Sequence, residues 1–254
     1  MCIRDRRCVT TKRWPDGVEA TPFFQKNCPD HRPSWLGVAR GPGSDGVDYC
    51  LVDSAPGLVW LANLAALEVH LPMALAASIE NPRMIVFDLD PGEGVDISGC
   101  CEVALLLRET LAHLGLVSFP KTSGGKGLQV YVPINLDGLT QELAGIFAKG
   151  VGDILAKGNP DKVLTNMTKS LRKGKVFIDW SQNSLHKTTI GVYSMRGRER
   201  PCISTPLDWS EVDKADKSEL AFLPADVIKR VHRSGDLFAQ TLTLEQQLPG
   251  SAMG

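Results

Sequence analysis

The succession of strand and helix patterns along this chain predicts an α+β fold built around one core. Three observations carry that expectation. Strand and helix signals mix without a repeating β-α-β unit, and no structureless stretch is long enough to force a second domain. The chain has 254 residues, 43% hydrophobic and 22% charged, enough to bury one substantial core or two small ones. That composition excludes disordered, collagen-like and mini-protein classes. The longest apolar stretches, 58–67 and 71–79, are broken up by Asn63, Glu68, His70 and Ser78, so no membrane span is expected.

The elements follow in order. Residues 8–11 read as a strand, and the first seven residues are expected to be a non-native or unstructured start to an N-terminally shortened chain. Residues 84–87 are an apolar, β-branched run ending in Asp-Leu-Asp-Pro-Gly, which places Asp88 and Asp90 at a strand's end. Val103, Leu106, Leu107, Leu111 and Leu114 follow helical spacing over 101–114, closed by Gly115. Next come a strand over 116–119, a loop over 120–127 and a strand over 128–134. Helices are expected over 140–155 and 161–171, strands over 176–180 and 188–194, and helical or irregular structure over 209–223. Residues 8–240 form the expected domain, with 241–254 as a tail.

Net charge is −1, an average that hides a segregated distribution. From 162 to 200 there are nine basic residues against Asp179 and Glu199 alone. From 86 to 110 the balance reverses, with Asp88, Asp90, Glu93, Asp96, Glu102 and Glu109 against Arg108. The two stretches are candidates to meet in the fold. Seven cysteines without regular spacing favour a reduced cytoplasmic setting, with the thiols buried or incidental.

Three constellations carry chemistry. In Phe87-Asp88-Leu89-Asp90-Pro91-Gly92-Glu93-Gly94, carboxylates two residues apart on extended backbone point to one side, where one hard cation, Mg²⁺ or Mn²⁺, can touch both. The same residues are also compatible with a plain acidic turn, or with a phosphatase of the haloacid-dehalogenase type using Asp88 as nucleophile. That type places a small Thr or Val soon after the second Asp, where this chain has Pro-Gly-Glu-Gly. The second constellation, Lys121-Thr122-Ser123-Gly124-Gly125-Lys126-Gly127, can cradle a triphosphate with backbone amides, Ser123 and Lys126; it lacks Walker A spacing and leads into a strand. The third joins Phe177-Ile178-Asp179-Trp180-Ser181-Gln182 to Tyr193-Ser194-Met195-Arg196-Gly197-Arg198, a carboxylate at a strand's end followed by two arginines suited to clamping phosphates.

In this order the residues resemble the polymerase domain of bacterial ATP-dependent DNA ligase D, a member of the archaeo-eukaryotic primase superfamily. The resemblance also takes in Lys12-Arg13-Trp14-Pro15-Asp16-Gly17, Phe23-Phe24-Gln25-Lys26-Asn27, Trp60-Leu61-Ala62-Asn63 and Glu68-Val69-His70, and covers roughly residues 8–233. It implies a primase-like core of mixed and antiparallel sheets flanked by helices. It further implies a template-dependent nucleotidyltransferase that extends a DNA 3′ end in non-homologous end joining or gap filling. Asp88, Asp90 and Asp179 would hold two divalent ions, Mn²⁺ or Mg²⁺, and an NTP or dNTP would be the substrate. Lys12, His70, Ser123, Lys126, Arg172, Gln182, Arg196 and Arg198 would contact the nucleotide. Phe23 and Phe24 would pack on the templating base and Lys26 would lie near DNA phosphate, the alternative for the two rings being core packing. Implied partners are gapped or broken DNA, a Ku-type end-binding protein and a ligase, at the nucleoid of a bacterial cytoplasm.

Two departures stand out. Gln129 occupies the nucleotide-binding position at which the family usually has histidine, so a neutral amide replaces a group able to carry charge. The family domain also starts some tens of residues earlier, with basic residues that grip a 5′-phosphate. A DNA-end-binding module with weakened catalysis is the rival that Gln129 suggests.

Overall fold

The computed structural model describes residues 6–41, 46–214 and 220–250. Strands β1 (Cys8–Arg13), β2 (Phe23–Gln25), β3 (Gly37–Arg40) and β4 (Asp48–Leu51) lead into helix α1 (Ala55–Asn63) and strand β5 (Ala66–Leu71). The chain continues through β6 (Met84–Pro91), α2 (Ile97–His113), β7 (Phe119–Thr122), β8 (Leu128–Pro133), α3 (Gln141–Gly158), β9 (Val163–Leu164) and β10 (Val176–Asp179). Short β11 (Thr189–Ile190), α4 (Trp209–Lys214) and α5 (Pro224–Ser234) complete it.

The strands form two sheets. One runs β11-β5-β1-β4-β3, with β2 also paired to β1; the other runs β7-β8-β6-β10-β9. All pairings are antiparallel except β9 with β10, so the second sheet is mixed.

Period-two alternation sorts the faces of the second sheet. Ile85, Phe87 and Leu89 of β6, Leu128, Val130 and Val132 of β8, and Val176 and Ile178 of β10 enter one core with Leu107 and Leu111 of α2 and Ala144 and Ala148 of α3. The intervening residues Met84, Val86 and Tyr131 lie on the opposite face in a smaller cluster with Phe238. Asp88, Asp90, Gln129 and Asp179 share that second face by parity. Helices thus shield one side of the sheet and leave the other for chemistry.

Local signals explain the helix ends. Asp96 caps α2 by accepting from the Ser98 amide at 2.9 Å, and Thr140 caps α3 by accepting from the Leu143 amide at 3.1 Å. The α2 cap sets the start at Ile97, one turn earlier than the apolar spacing suggested.

Several expectations are corrected. Strand β6 continues to Pro91 because Asp88 and Asp90 pair with Asp179 and Phe177 of β10, so the two carboxylates lie within the strand. Residues 161–171 are not a helix: Val163 and Leu164 pair with β10, and only Lys169–Arg172 coil, as a 3₁₀ turn. The strand expected over 188–194 shrinks to two residues, and Tyr193 takes a positive φ of 63°. Cys28 and Cys50 form a disulfide, with Cα atoms 4.9 Å apart, against the expectation that all cysteines are reduced. The pairing of Val9 with Cys50 and the bond from the Cys28 amide to the Asp48 carbonyl bring the two together. Of the seven residues expected to be a non-native or unstructured start, 1–5 lie outside the described residues, and Arg7 is buried and donates to the Pro72 carbonyl. In the tail, Gln246 bonds to Val117 and Pro133.

Candidate active site

The site grows from one register row. Lys121 pairs with Gln129, Gln129 with Asp88, and Asp88 with Asp179, so four polar side chains stand side by side across β7, β8, β6 and β10. The row below is apolar: Phe119, Tyr131 and Val86. Asp90 lies one step beyond, toward the exposed end of β6.

The geometry after β10 is fixed by side-chain bonds. Asp179 Oδ1 accepts from the Ser181 amide at 3.1 Å and its hydroxyl at 2.6 Å, while Oδ2 accepts from Gln182 Nε2 at 2.8 Å. Gln182 is therefore turned onto a carboxylate. Asn183 accepts from the Val86 amide and donates to the Val86 carbonyl, at 2.8 and 2.7 Å, locking this turn to β6.

Electrostatics set the row apart. Desolvation first, and then the charge of Asp90, push the Asp88 carboxyl up to about 7 against the Gln129 hydrogen bond and the charge of Lys121. Asp90 is also raised, by desolvation and then Asp179, against Arg172 and Arg196. The acidic and basic stretches of the sequence do meet here. Lys121 is fully buried, with Nζ donating to the Ile190 carbonyl at 3.1 Å and to Ser204 Oγ at 2.5 Å. Burial pulls its ammonium down to about 7 despite Asp88.

The glycine-rich loop lies against the carboxylates. A Cβ on Gly127 would come within 2.2 Å of the Leu89 carbonyl, so only glycine lets the loop approach β6 this closely. Ser123 Oγ accepts from the Gly125 and Gly127 amides, at 3.2 and 3.3 Å, so the serine organises the loop and two of its amides point inward. Arg198 sits over Gly125, and Lys126 lines an outer cleft with Pro91 and Asp96. On the other side, a Cβ on Gly92 would run into the Arg172 carbonyl at 1.7 Å; this close approach puts Arg172 beside Asp90, its guanidinium stacked 3.7 Å from the Phe177 ring centre.

The first sheet meets this face of the second at β11, where Lys121 and Tyr131 bond to Ile190 and Thr189. Phe24, Lys12 and Glu68 form one row across β2, β1 and β5, with Thr10 and His70 in line on the same face. Phe23 and Phe24 are 44% and 59% exposed, which removes the core-packing reading. Lys12 Nζ lies 4.9 and 5.5 Å from the ring centres of Trp14 and Phe24. His70 meets Phe24 edge-on and bonds Glu68 through Nε2 at 2.9 Å. Lys26 stands apart, in a small cleft with Thr10, Tyr49, His186 and Lys187.

The sequence reading quoted Lys121 and Glu68 inside motifs without giving either a role, and it did not name Asn183. A buried lysine and a buried glutamate in otherwise apolar strands were the available signals.

The donor set suits a hard divalent cation. Three oxygen-donor carboxylates repel one another across β6 and β10, and an ion between them would relieve that repulsion. Among the described residues, no group of three His, Cys, Asp or Glu side chains is drawn together closely enough to hold an ion as it stands.

The carboxylate row on the second sheet and the exposed aromatic rings on the first make up the candidate site, and similarity to known proteins identifies the family it belongs to. The family model described as LigD, primase-polymerase domain, matches residues 2–238. The chain belongs to that family. It is 45% identical over 240 residues to the multifunctional non-homologous end joining protein LigD of Mycobacterium bovis, covering 91% of this chain and 31% of the relative. To the bifunctional LigD of Bacillus subtilis it is 33% identical over 247 residues, covering 97% of this chain and 40% of the relative. The chain thus spans well under half the length of these relatives. A solved polymerase domain from Mycobacterium tuberculosis Ligase D, in complex with DNA, superposes with a TM-score of 0.87 at 42% identity, covering 97% of this chain and 88% of that one.

Proposed function

We propose that this chain is a template-dependent nucleotidyltransferase that extends DNA 3′ ends in end joining or gap filling. The observation that carries the reading is the register row placing Asp88 opposite Asp179, with Asp90 one step away and Arg172 and Arg196 close enough to act on its charge. Asp88, Asp90 and Asp179 would hold Mn²⁺ or Mg²⁺, which when bound lowers the pKa of the primer 3′-hydroxyl and neutralises the triphosphate and departing pyrophosphate. Arg172, Arg196, Arg198, Lys126 and the Ser123 loop receive the phosphates of an NTP or dNTP. Lys12, His70, Gln182 and Gln129 border the nucleotide, Gln129 with a neutral amide.

Phe23 and Phe24 offer π-faces to the templating base, which suits reading any sequence, and Lys26 reaches DNA phosphate. Support for DNA as partner comes from the Mycobacterium tuberculosis domain, whose structure was solved with DNA. A Ku-type end-binding protein and a ligase are the partners such work needs, at the bacterial nucleoid.

The test is extension of a labelled primer on a gapped, 5′-phosphorylated template, with Mn²⁺ or Mg²⁺ and with NTPs or dNTPs. The reading expects metal-dependent, templated addition. Tight DNA binding without addition under any of these conditions would favour the weakened end-binding module instead.

A further inference from the structure

We propose that Glu68 is a positioning residue, resting on the polymerase reading above: its one carboxylate holds His70 and Arg196 in place for a nucleoside triphosphate before the nucleotide arrives.

Glu68 is 4% exposed, on the face of β5 that also carries His70 and lies in register with Lys12. A buried carboxylate is costly unless donors saturate it. Here the donors come from two distant parts of the chain. Oε2 accepts from His70 Nε2 at 2.9 Å and Arg196 Nη1 at 3.1 Å, and Oε1 accepts from the Gly197 amide at 3.2 Å. Burial alone would raise this carboxyl, yet the His70 hydrogen bond and the charges of Arg196, His70 and Lys12 bring it down to about 2. It is therefore a fixed anion at neutral pH.

The consequence reaches the glycine-rich loop. Arg196 donates through Nε to the Ser123 carbonyl at 2.9 Å while Nη1 holds Glu68, so one guanidinium joins the first sheet to the loop. Gly197 is seated against Trp14, where a Cβ would fall 2.4 Å from the indole, which fixes the turn presenting Arg196. For His70, the bond to a carboxylate puts a proton on Nε2 and leaves Nδ1 as the nitrogen free to meet a ligand. Both groups are thus oriented in advance, and the ordering cost at binding falls.

The experiment compares the parent with Glu68→Gln, Arg196→Gln and the double variant. It measures Mn²⁺-dependent binding of a fluorescent nucleoside triphosphate, KM and kcat for primer extension, and DNA affinity. Glu68→Gln is expected to weaken triphosphate binding and raise KM by about tenfold or more, with kcat and DNA affinity changed less than about threefold. Added to Arg196→Gln, it should cost clearly less than it does in the parent, since the two share the Glu68–Arg196 contact and only the His70 arm remains to be lost. Should Glu68→Gln not fold, Glu68→Asp keeps the charge, withdraws the oxygens and carries the same test. Unchanged triphosphate affinity, fully additive losses, or an equal loss of DNA binding would overturn the proposal, leaving Glu68 a structural ion pair. Glu68-dependent triphosphate binding without primer extension would instead remove the polymerase reading and leave the positioning role standing.

Discussion

On β6 and β10 three carboxylates stand close with too few counter-charges, whereas on β5 a single carboxylate is saturated by three donors. The first arrangement holds Asp88 and Asp90 above their ordinary values; the second holds Glu68 far below its own. The contrast separates two uses of acidic residues. An under-compensated cluster waits for a cation, while a compensated one fixes neighbouring side chains. Lys121 belongs with the first, a buried amine at the end of the row that offsets only part of its charge.

The sharpest way to break this comparison is to remove one repelling carboxylate. Asp88→Ala or Asp179→Ala should lower primer extension by roughly a thousandfold or more, as expected where charge development is met electrostatically. Retained extension in either would mean that the row is not the reacting centre. Next in size is the first sheet: Phe24→Ala should weaken DNA binding by about five- to a hundredfold. Its thermal midpoint should barely move because the ring is 59% exposed. A large loss of stability with intact DNA affinity would return Phe24 to a packing role.

A smaller effect concerns pH. The Asp88 carboxyl is protonated more readily in the fold than in the unfolded chain, where a free Asp titrates near about 4. Its contribution to stability is therefore full below that value and lost as pH rises through about 7. In EDTA, Asp88→Asn should melt higher than the parent at pH 8, by about 2–4 °C, and the difference should vanish near pH 4. Calorimetry across that range checks it; an unchanged gap would mean that Asp88 is not destabilised by its neighbours. The smallest effect is expected at Gln129→His, about two- to fivefold in nucleotide KM, since the position lies in the row beside Asp88 but the amide already reaches it. Steady-state kinetics with each nucleotide type measures it.

Much of this site was legible because its residues follow local patterns. Asp88 and Asp90 come after an apolar run, Asp179 ends another, and Ser123 to Gly127 is a glycine-rich break between strands. The α+β class and helices α2 and α3 follow from spacing and caps in the same way. What stayed hidden depends on pairings far apart in sequence. Nothing near Glu68 announces Arg196, which it meets only when β5 is laid beside the segment after β11. Lys121 reads as a loop residue until β7 pairs with β8. Residues 161–171 looked helical, but Val163 and Leu164 gain more by extending the sheet beside β10, and Thr165, Asn166 and Thr168 are poor helix formers. The Cys28–Cys50 bond likewise needs the alignment of β1 with β4.

The most direct measurement is Mn²⁺ titration in the presence of a nucleoside triphosphate, by electron paramagnetic resonance or calorimetry, on the parent, Asp88→Asn and Glu68→Gln. The account predicts that Asp88→Asn loses the tight Mn²⁺, while Glu68→Gln still takes up the ion and shows its loss in triphosphate affinity. Unaltered Mn²⁺ binding in Asp88→Asn, or its disappearance in Glu68→Gln, would contradict the division of labour between the two sheets.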